Sequence, residues 1–425
     1  MKNRDMKLSD LIEIKHGFAF KGEFFSDIPT AYVLATPGNF AIGGGFQWGK
    51  MKYYNGALPD GYCLSEGDII VTMTDLSKEA DTLGYAASVP ASTDILLHNQ
   101  RIGKIIPKKK EVNIRFIYWL MRSPDYRDEI LASYTGSTVK HTSPSRILSF
   151  EFTCPSPEDQ HRIALILDFL DNKIDLNRRT NETLEAMARA LFRDWFVDFG
   201  PTRAKMAGEA PYLAPELWEL FPDRLDEEGK PEGWINSLVG KQFDVTMGQS
   251  PPGDTYNSDG AGIPFYQGKT DFGFIFPQRR MYCTAPTRFA NALDSLVSVR
   301  APVGDVNFSE EKCCIGRGLA SVRHPQNLPY YTYFTMKFLR DIFSSFENTG
   351  TVFGSINKKQ FANLPLIESG LEKAFERQVM PTCSKIIANE TESRTLAQLR
   401  DLLLPKLMSG EISIRDAEKM VEDAA

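Results

Sequence analysis

From Ser156 to Phe199 the chain carries apolar residues on a seven-residue repeat, and this repeat limits what it can fold into. One set is Ile163, Leu170, Asn177, Leu184 and Leu191; the set four residues on is Leu167, Ile174, Asn181, Ala188 and Trp195. Such spacing lines one face of a helix, so it predicts a single long helix with a coiled-coil seam, polar at its middle. Ser156 as N-cap, Pro157 in the first turn, and Glu158 and Asp159 behind it mark the start. Gly200-Pro201 marks the stop. At ~1.5 Å per residue the helix is ~60 Å long. A seam of that length needs a partner helix.

The partner lies near the C-terminus, where Ser369 to Met408 repeats the pattern 212 to 213 positions later. Ser369 with Glu372 forms a capping box, as Ser156 does with Asp159. A shift of 212 sets Asn177 on Asn389, Leu184 on Leu396 and Leu191 on Leu403. The globular blocks repeat too. Ile14-Lys15-His16-Gly17 resembles Val245-Thr246-Met247-Gly248, and Asp68-Ile69-Ile70-Val71 resembles Asp294-Ser295-Leu296-Val297. From Phe116 to Phe152 a gapless shift of 214 sets Trp119 on Tyr333 and Thr135-Gly136-Ser137 on Thr349-Gly350-Thr351. The chain therefore reads as a tandem duplication, each half a globular domain followed by a long helix. The expected layout is a first domain at 1–155, central helix 156–199, linker 200–235, second domain 236–368, C-terminal helix 369–410 and tail 411–425. The linker is rich in Pro, Gly and acidic residues and ends at Trp234, read as an aromatic anchor.

A net charge of −6 argues superficially against nucleic acid, but its distribution matters more. Residues 1–155 carry 18 Lys and Arg against 17 Asp and Glu, and residues 236–366 carry 13 against 10. The acidity therefore lies in the helices, linker and tail. Six cysteines without CxxC spacing fit a reducing cytoplasm, and adjacent Cys313-Cys314 reads as a pair of buried strand residues. No signal peptide and no apolar run near 18 residues is seen, so a membrane span is not expected.

Three stretches resemble the DNA-specificity subunit of type I restriction–modification enzymes. They are Ala190-Leu191-Phe192-Arg193-Asp194-Trp195-Phe196-Val197-Asp198-Phe199, then Pro231-Glu232-Gly233-Trp234, and Leu403-Leu404-Pro405-Lys406-Leu407-Met408-Ser409-Gly410-Glu411-Ile412. The likeness covers essentially the whole chain in the family's order, while the globular blocks match only in outline. It implies an α+β fold, with two similar mixed α/β target-recognition domains separated by an antiparallel two-helix coiled coil in pseudo-two-fold arrangement. It also implies a cytoplasmic, non-catalytic subunit without cofactors. Each domain would read one half of a bipartite double-stranded DNA target. Two methyltransferase subunits would dock on the coiled coil and restriction/translocase subunits would join them. S-adenosylmethionine, ATP and Mg would belong to those partners.

Reading DNA needs cations for phosphates and planar polar groups for base edges. Candidates on turns or strand ends are Gln47, Lys50, Arg101 and Lys140 in the first half. In the second they are Gln267, Lys269, Arg279, Arg280, Arg300, Arg317, Lys358 and Lys359. Lys108-Lys109-Lys110 reads as a solvated turn. Asn177 and Asn389 are expected to fix the register of the seam. Phe192, Trp195, Phe196 and Phe199, with Leu404 and Met408, exceed what one seam needs and are expected to dock the methyltransferase subunits.

Catalytic patterns are scarce. There is no phosphate loop ending Gly-Lys-Ser/Thr, no Asp/Asn-Pro-Pro-aromatic methylation motif and no zinc-type His/Cys spacing. Pro222-Asp223 with Glu228 and Lys230 superficially resembles a nuclease site, but the separation is too short. A rival reading is a coiled-coil adaptor that reads no DNA.

Overall fold

In the computed structural model, which describes residues 4–344 and 354–424, the central helix runs Pro157–Phe196 and the C-terminal helix Glu372–Ser409. Their starts are built from the predicted boxes. The Asp159 amide donates to Ser156 Oγ at 3.2 Å and that hydroxyl donates to Asp159 Oδ2 at 2.8 Å. The Ser369 amide and hydroxyl both donate to Glu372 Oε1 at 2.9 Å. Gly200-Pro201 does not end the path of the chain in a coil. Phe199 turns through a left-handed conformation (φ 55°) and Gly200–Ala207 starts a new helix.

The chain divides into two compact units, Met1–Asp175 with Ser393–Ala425, and Leu176–Glu392. The boundary falls inside both long helices, because each half of the helix pair is buried in the core of one unit. In the first unit, Ile163, Leu167 and Leu170 join Leu396, Leu403 and Leu407 beneath the fully buried Trp119. In the second, Ala188, Phe192 and Trp195 join Phe375, Val379 and Ile386 against Tyr331 and Phe334. The helices are thus not a layer separate from the domains.

Each unit repeats one sheet plan. In the first, Ile12–His16, Ile102–Pro107, Ile69–Thr72 and Ala86–Ser88 form a sheet in that order. In the second, Asp244–Met247, Leu319–Arg323, Ser295–Ser298 and Val306–Phe308 do the same. A second sheet in each contains one parallel pair, Tyr32–Ala35 with Ile95–His98, and Ile263–Tyr266 with Cys313–Ile315. Antiparallel ribbons close both blocks: Arg4–Lys7 pairs with Glu151–Cys154, and Ile235–Leu238 with Pro365–Glu368, immediately before the long helices. The matched Gly17 and Gly248 have a backbone reason. A Cβ at either would lie 2.0 Å from the Asn99 carbonyl oxygen or 2.1 Å from that of Gly316.

Three expectations are corrected. Residues 200–235 are not a loose linker: Pro215–Trp218 is helical, and Phe221 and Trp234 are buried beside Phe199. The tail is not loose either, since Ile414–Ala424 is a helix that buries Ala417 and Val421, with Arg162 in a two-pronged pair to Glu418. The residues assigned to partner docking are mostly core. Phe192, Trp195, Phe199 and Leu404 are buried, and Phe196 and Met408 are half-buried against the same cores. Phe192 meets Phe375 at 5.4 Å and Trp195 meets Phe221 at 5.0 Å between ring centroids. A domain wraps each helix half, so the apolar residues beyond the seam pack inward. Cys313 and Cys314 are buried in a strand, as read, and no helix among the described residues is long and apolar enough to cross a membrane.

Candidate nucleic-acid interface

Both units build the same strand end. In the first, the strand Ile69–Thr72 runs on into Met73, whose amide donates to the Arg101 carbonyl at 3.0 Å while its carbonyl accepts from Thr142 at 3.1 Å. In the second, Val299 follows Ser295–Ser298; its amide donates to the Gly318 carbonyl at 2.9 Å and its carbonyl accepts from Ile356 at 3.1 Å. A strand tip is thus flanked on one side by the turn bearing Arg101 or Arg317 and on the other by Lys140–Thr142 or Gly354–Ile356. Three short segments meet at each tip, so side chains far apart in sequence converge.

In the second unit the tip is cationic. Arg300 follows Val299 and bridges to Ser355, and Lys358 and Lys359 lie just beyond it. The Arg317 Nε donates to Ser250 Oγ at 3.3 Å, and the Gly318 amide donates to the Gln267 carbonyl at 3.1 Å. Gln267, Arg300, Arg317, Lys358 and Lys359 are all exposed. This gathers five of the candidates from four separate segments. The other three are bound to carboxylates: Lys269 to Asp305 at 2.5 Å, Arg280 to Asp271 at 2.7 Å, and Arg279 to Glu310 and Glu311 at 2.9 and 2.8 Å. Thr349-Gly350-Thr351 lies outside the described residues.

The first unit's tip is more polar than charged. Arg101 is exposed there, and Thr74 Oγ1 lies 3.2 Å from His141 Nδ1. Lys140 is a correction: it is buried, and its ammonium donates to the Ser77 carbonyl at 2.6 Å, so it holds a loop and cannot reach a phosphate. The same loop is held by Asp75. Burial opposes its ionisation, yet hydrogen bonds from Ser77 and Thr82 outweigh that and keep its pKa at about 2. Gln47 and Lys50 lie exposed on the turn after the strand Tyr32–Ala35, where the Gln47 amide donates to the Gly38 and Phe40 carbonyls at 3.2 and 3.0 Å. Exposed Trp48 stands between them and packs edge-on to Phe46 at 5.0 Å. Lys108-Lys109-Lys110 is an exposed turn, as read.

His141 follows the Thr-Gly loop beside Lys140, whereas Thr74 and Ser250 carry no sequence signal. Only the pairing of distant segments brings these two to the tips. The nuclease resemblance has no geometry behind it. Asp223 is exposed and pairs with Lys205 at 3.0 Å, whereas Lys230 pairs with Asp226 and Glu228. No cluster of His, Cys, Asp and Glu suited to a metal occurs among the described residues.

The seam amides meet inside the second unit. Asn177 Nδ2 donates to Glu392 Oε2 at 2.6 Å and to the Asn389 carbonyl at 3.4 Å. Asn389 Nδ2 donates to Asn181 Oδ1 at 2.9 Å, and Asn181 Nδ2 to the Ile386 carbonyl at 3.3 Å. Partner numbers fall as central-helix numbers rise, so the pairing is antiparallel.

Residues 2–186 match the family described as the type I restriction modification DNA specificity domain. A putative type I restriction enzyme MjaX specificity subunit from Methanocaldococcus jannaschii is 27% identical over 365 residues, 83% of this chain and 80% of the relative. Along most of its length the chain is thus similar to type I specificity subunits. The HindI specificity subunit of Haemophilus influenzae is 24% identical, covering 84% of this chain and 95% of that one. The crystal structure of a type I restriction–modification S subunit from M. genitalium shares the fold, with a TM-score of 0.57 at 16% identity over 95% of this chain and 96% of that chain. The fold of this chain is accordingly α+β, with two similar domains joined by a coiled coil.

Proposed function

We propose that this chain reads a bipartite target in double-stranded DNA, one half-site at each strand tip, and directs methyltransferase and restriction/translocase subunits to it. The observation that carries the reading is the repeated strand tip, which gathers Gln267, Arg300, Arg317, Lys358 and Lys359 in one unit and Arg101, Thr74 and His141 in the other. Arginine and lysine neutralise phosphates, while Gln, Thr, His and Arg side chains can address base edges. S-adenosylmethionine, ATP and Mg are assigned to the partner subunits, and this chain to recognition without catalysis.

The coiled coil is also the docking surface in this reading, through residues other than those first assigned. Leu165 and Phe169 in the first unit, and Leu176 and Met187 in the second, are 49 to 61% exposed on the central helix. Their spacings of four and eleven residues keep each pair on one helix face. We assign them to two methyltransferase subunits. Replacing residues 1–150 with the matching block of a relative tests the two-reader scheme by methylation profiling of a host carrying the complex. One half of the methylated motif is expected to change. A change in both halves would sink the scheme.

A further inference from the structure

The second unit holds a cleft of about 280 Å³ apart from its strand tip. Four cations line it: Arg189 on the central helix, Lys269, Lys337 near the end of the helix Pro329–Phe338, and Arg340. The acid among them is Asp305, with Lys269 Nζ at 2.5 Å and Arg340 Nη2 at 3.2 Å. Lys337 Nζ lies 3.0 Å from Glu185 Oε1, on the turn of helix before Arg189. Counting both acids, two positive charges remain in excess among the described residues. Asp305 and Glu185 hold the cations in place without neutralising them.

Like charges gathered in a half-buried cleft repel one another unless an anion joins them. Two guanidinium forks and two ammonium groups suit an anion with several oxygens spread around one centre. A carboxylate has two oxygens to offer and a phosphate at least two charged ones with further acceptors. We propose that this cleft binds a phosphate group. In the setting of the DNA-reading function above, on which this source of the ligand rests, the phosphate is a backbone phosphodiester. A free phosphate ion is the alternative source of the same chemistry.

The test uses the full chain with Arg189→Gln and Arg340→Gln together. Both side chains are exposed, Arg340 to 63%, so the fold should not depend on them. In the assembled complex, duplex binding is measured against salt concentration. A phosphodiester in the cleft makes the logarithmic slope of the double variant shallower by about 0.9, on target and non-target DNA alike, with the methylated motif unchanged. In a second arm, the DNA-free full chain is titrated with inorganic phosphate at constant ionic strength and its Tm followed. A rise in the unaltered chain that the variant lacks, with an unchanged DNA slope, identifies free phosphate as the ligand. An unchanged slope and no phosphate-dependent Tm overturn the proposal. Should the unaltered complex show no DNA binding at all, the DNA-reading function fails, and the phosphate titration still decides the cleft.

Discussion

The two units lay a turn over the end of a buried helix at matching places and close that spot in opposite ways. In the first, Arg122 is a plug. It is buried, donates through Nε to the Gly43 carbonyl at 2.9 Å and through Nη1 to the Tyr118 hydroxyl, and with Nη1 reaches Asp171 of the central helix at 3.3 Å. Asp171 in turn accepts from Arg400 of the C-terminal helix at 2.6 Å. In the second unit the corresponding turn, at Gly273 and Phe274, borders the open cationic cleft, where Lys337 pairs with Glu185. Duplication preserved the frame and left its filling free to diverge. A spot that is glue in one half is a binding surface in the other.

The largest expected effects separate the two cores through their fully buried tryptophans. Trp119→Ala and Trp195→Ala should each cost about 3–5 kcal/mol. The phenylalanine variants should then diverge. Trp119 Nε1 donates to Asp168 Oδ1 at 2.7 Å, whereas the Trp195 indole nitrogen is buried without a hydrogen-bond partner among the described residues. Trp119→Phe is expected to lose about 1–3 kcal/mol more than Trp195→Phe, read by urea unfolding of the full chain. Equal losses would remove this distinction.

The plug comes next. Gly44 has φ +89°, and a Cβ there would sit 2.6 Å from Arg122 Cγ. Gly44→Ala should therefore destabilise by ~1–3 kcal/mol and weaken recognition of the first half-site alone. Gly273→Ala is a poor mirror of it, because that Cβ meets the Phe276 carbonyl oxygen instead. Equal loss at both half-sites would mean that the plug does not act locally.

Acid should loosen the first unit before the carboxylates protonate. His98 is buried, and desolvation pulls its pKa down to about 4 from 6.5, against the Ile102 carbonyl that its ring meets at 2.9 Å. The unfolded chain therefore binds this proton more readily. Stability is full above pH 6.5 and falls as the pH drops toward 4, by up to ~3 kcal/mol. A His98→Gln chain whose unfolding free energy shows the same fall over that window would rule His98 out as the cause. The smallest effect is expected at Asp223→Ala, within about 0.5 kcal/mol in stability and without change in DNA binding. Loss of a nuclease activity in that variant would revive the linker reading.

Heptads, capping boxes and gapless repeats made the two helices and the duplication legible, because these are periodic signals carried by local residues. Burial was less legible. Residues 200–235 have the composition of a linker, yet Phe199, Phe221 and Trp234 tuck into the second core. Lys140 looks like a phosphate ligand after a glycine loop, and only the pairing of its strand with Thr74-Asp75 hides it. The strand tips were half legible. Their arginines stand at strand ends and His141 follows its glycine loop, as read, but Thr74 and Ser250 arrive through contacts spanning 67 residues.

The closing ribbons carry a consequence for inheritance. Because Arg4–Lys7 lies beside Glu151–Cys154, and Ile235–Leu238 beside Pro365–Glu368, each block leaves the scaffold next to where it joined it, one strand spacing or ~4.8 Å away. A gene segment cut at those two strands is a self-closing cassette. Recombination at these points can exchange a whole block without stretching the scaffold.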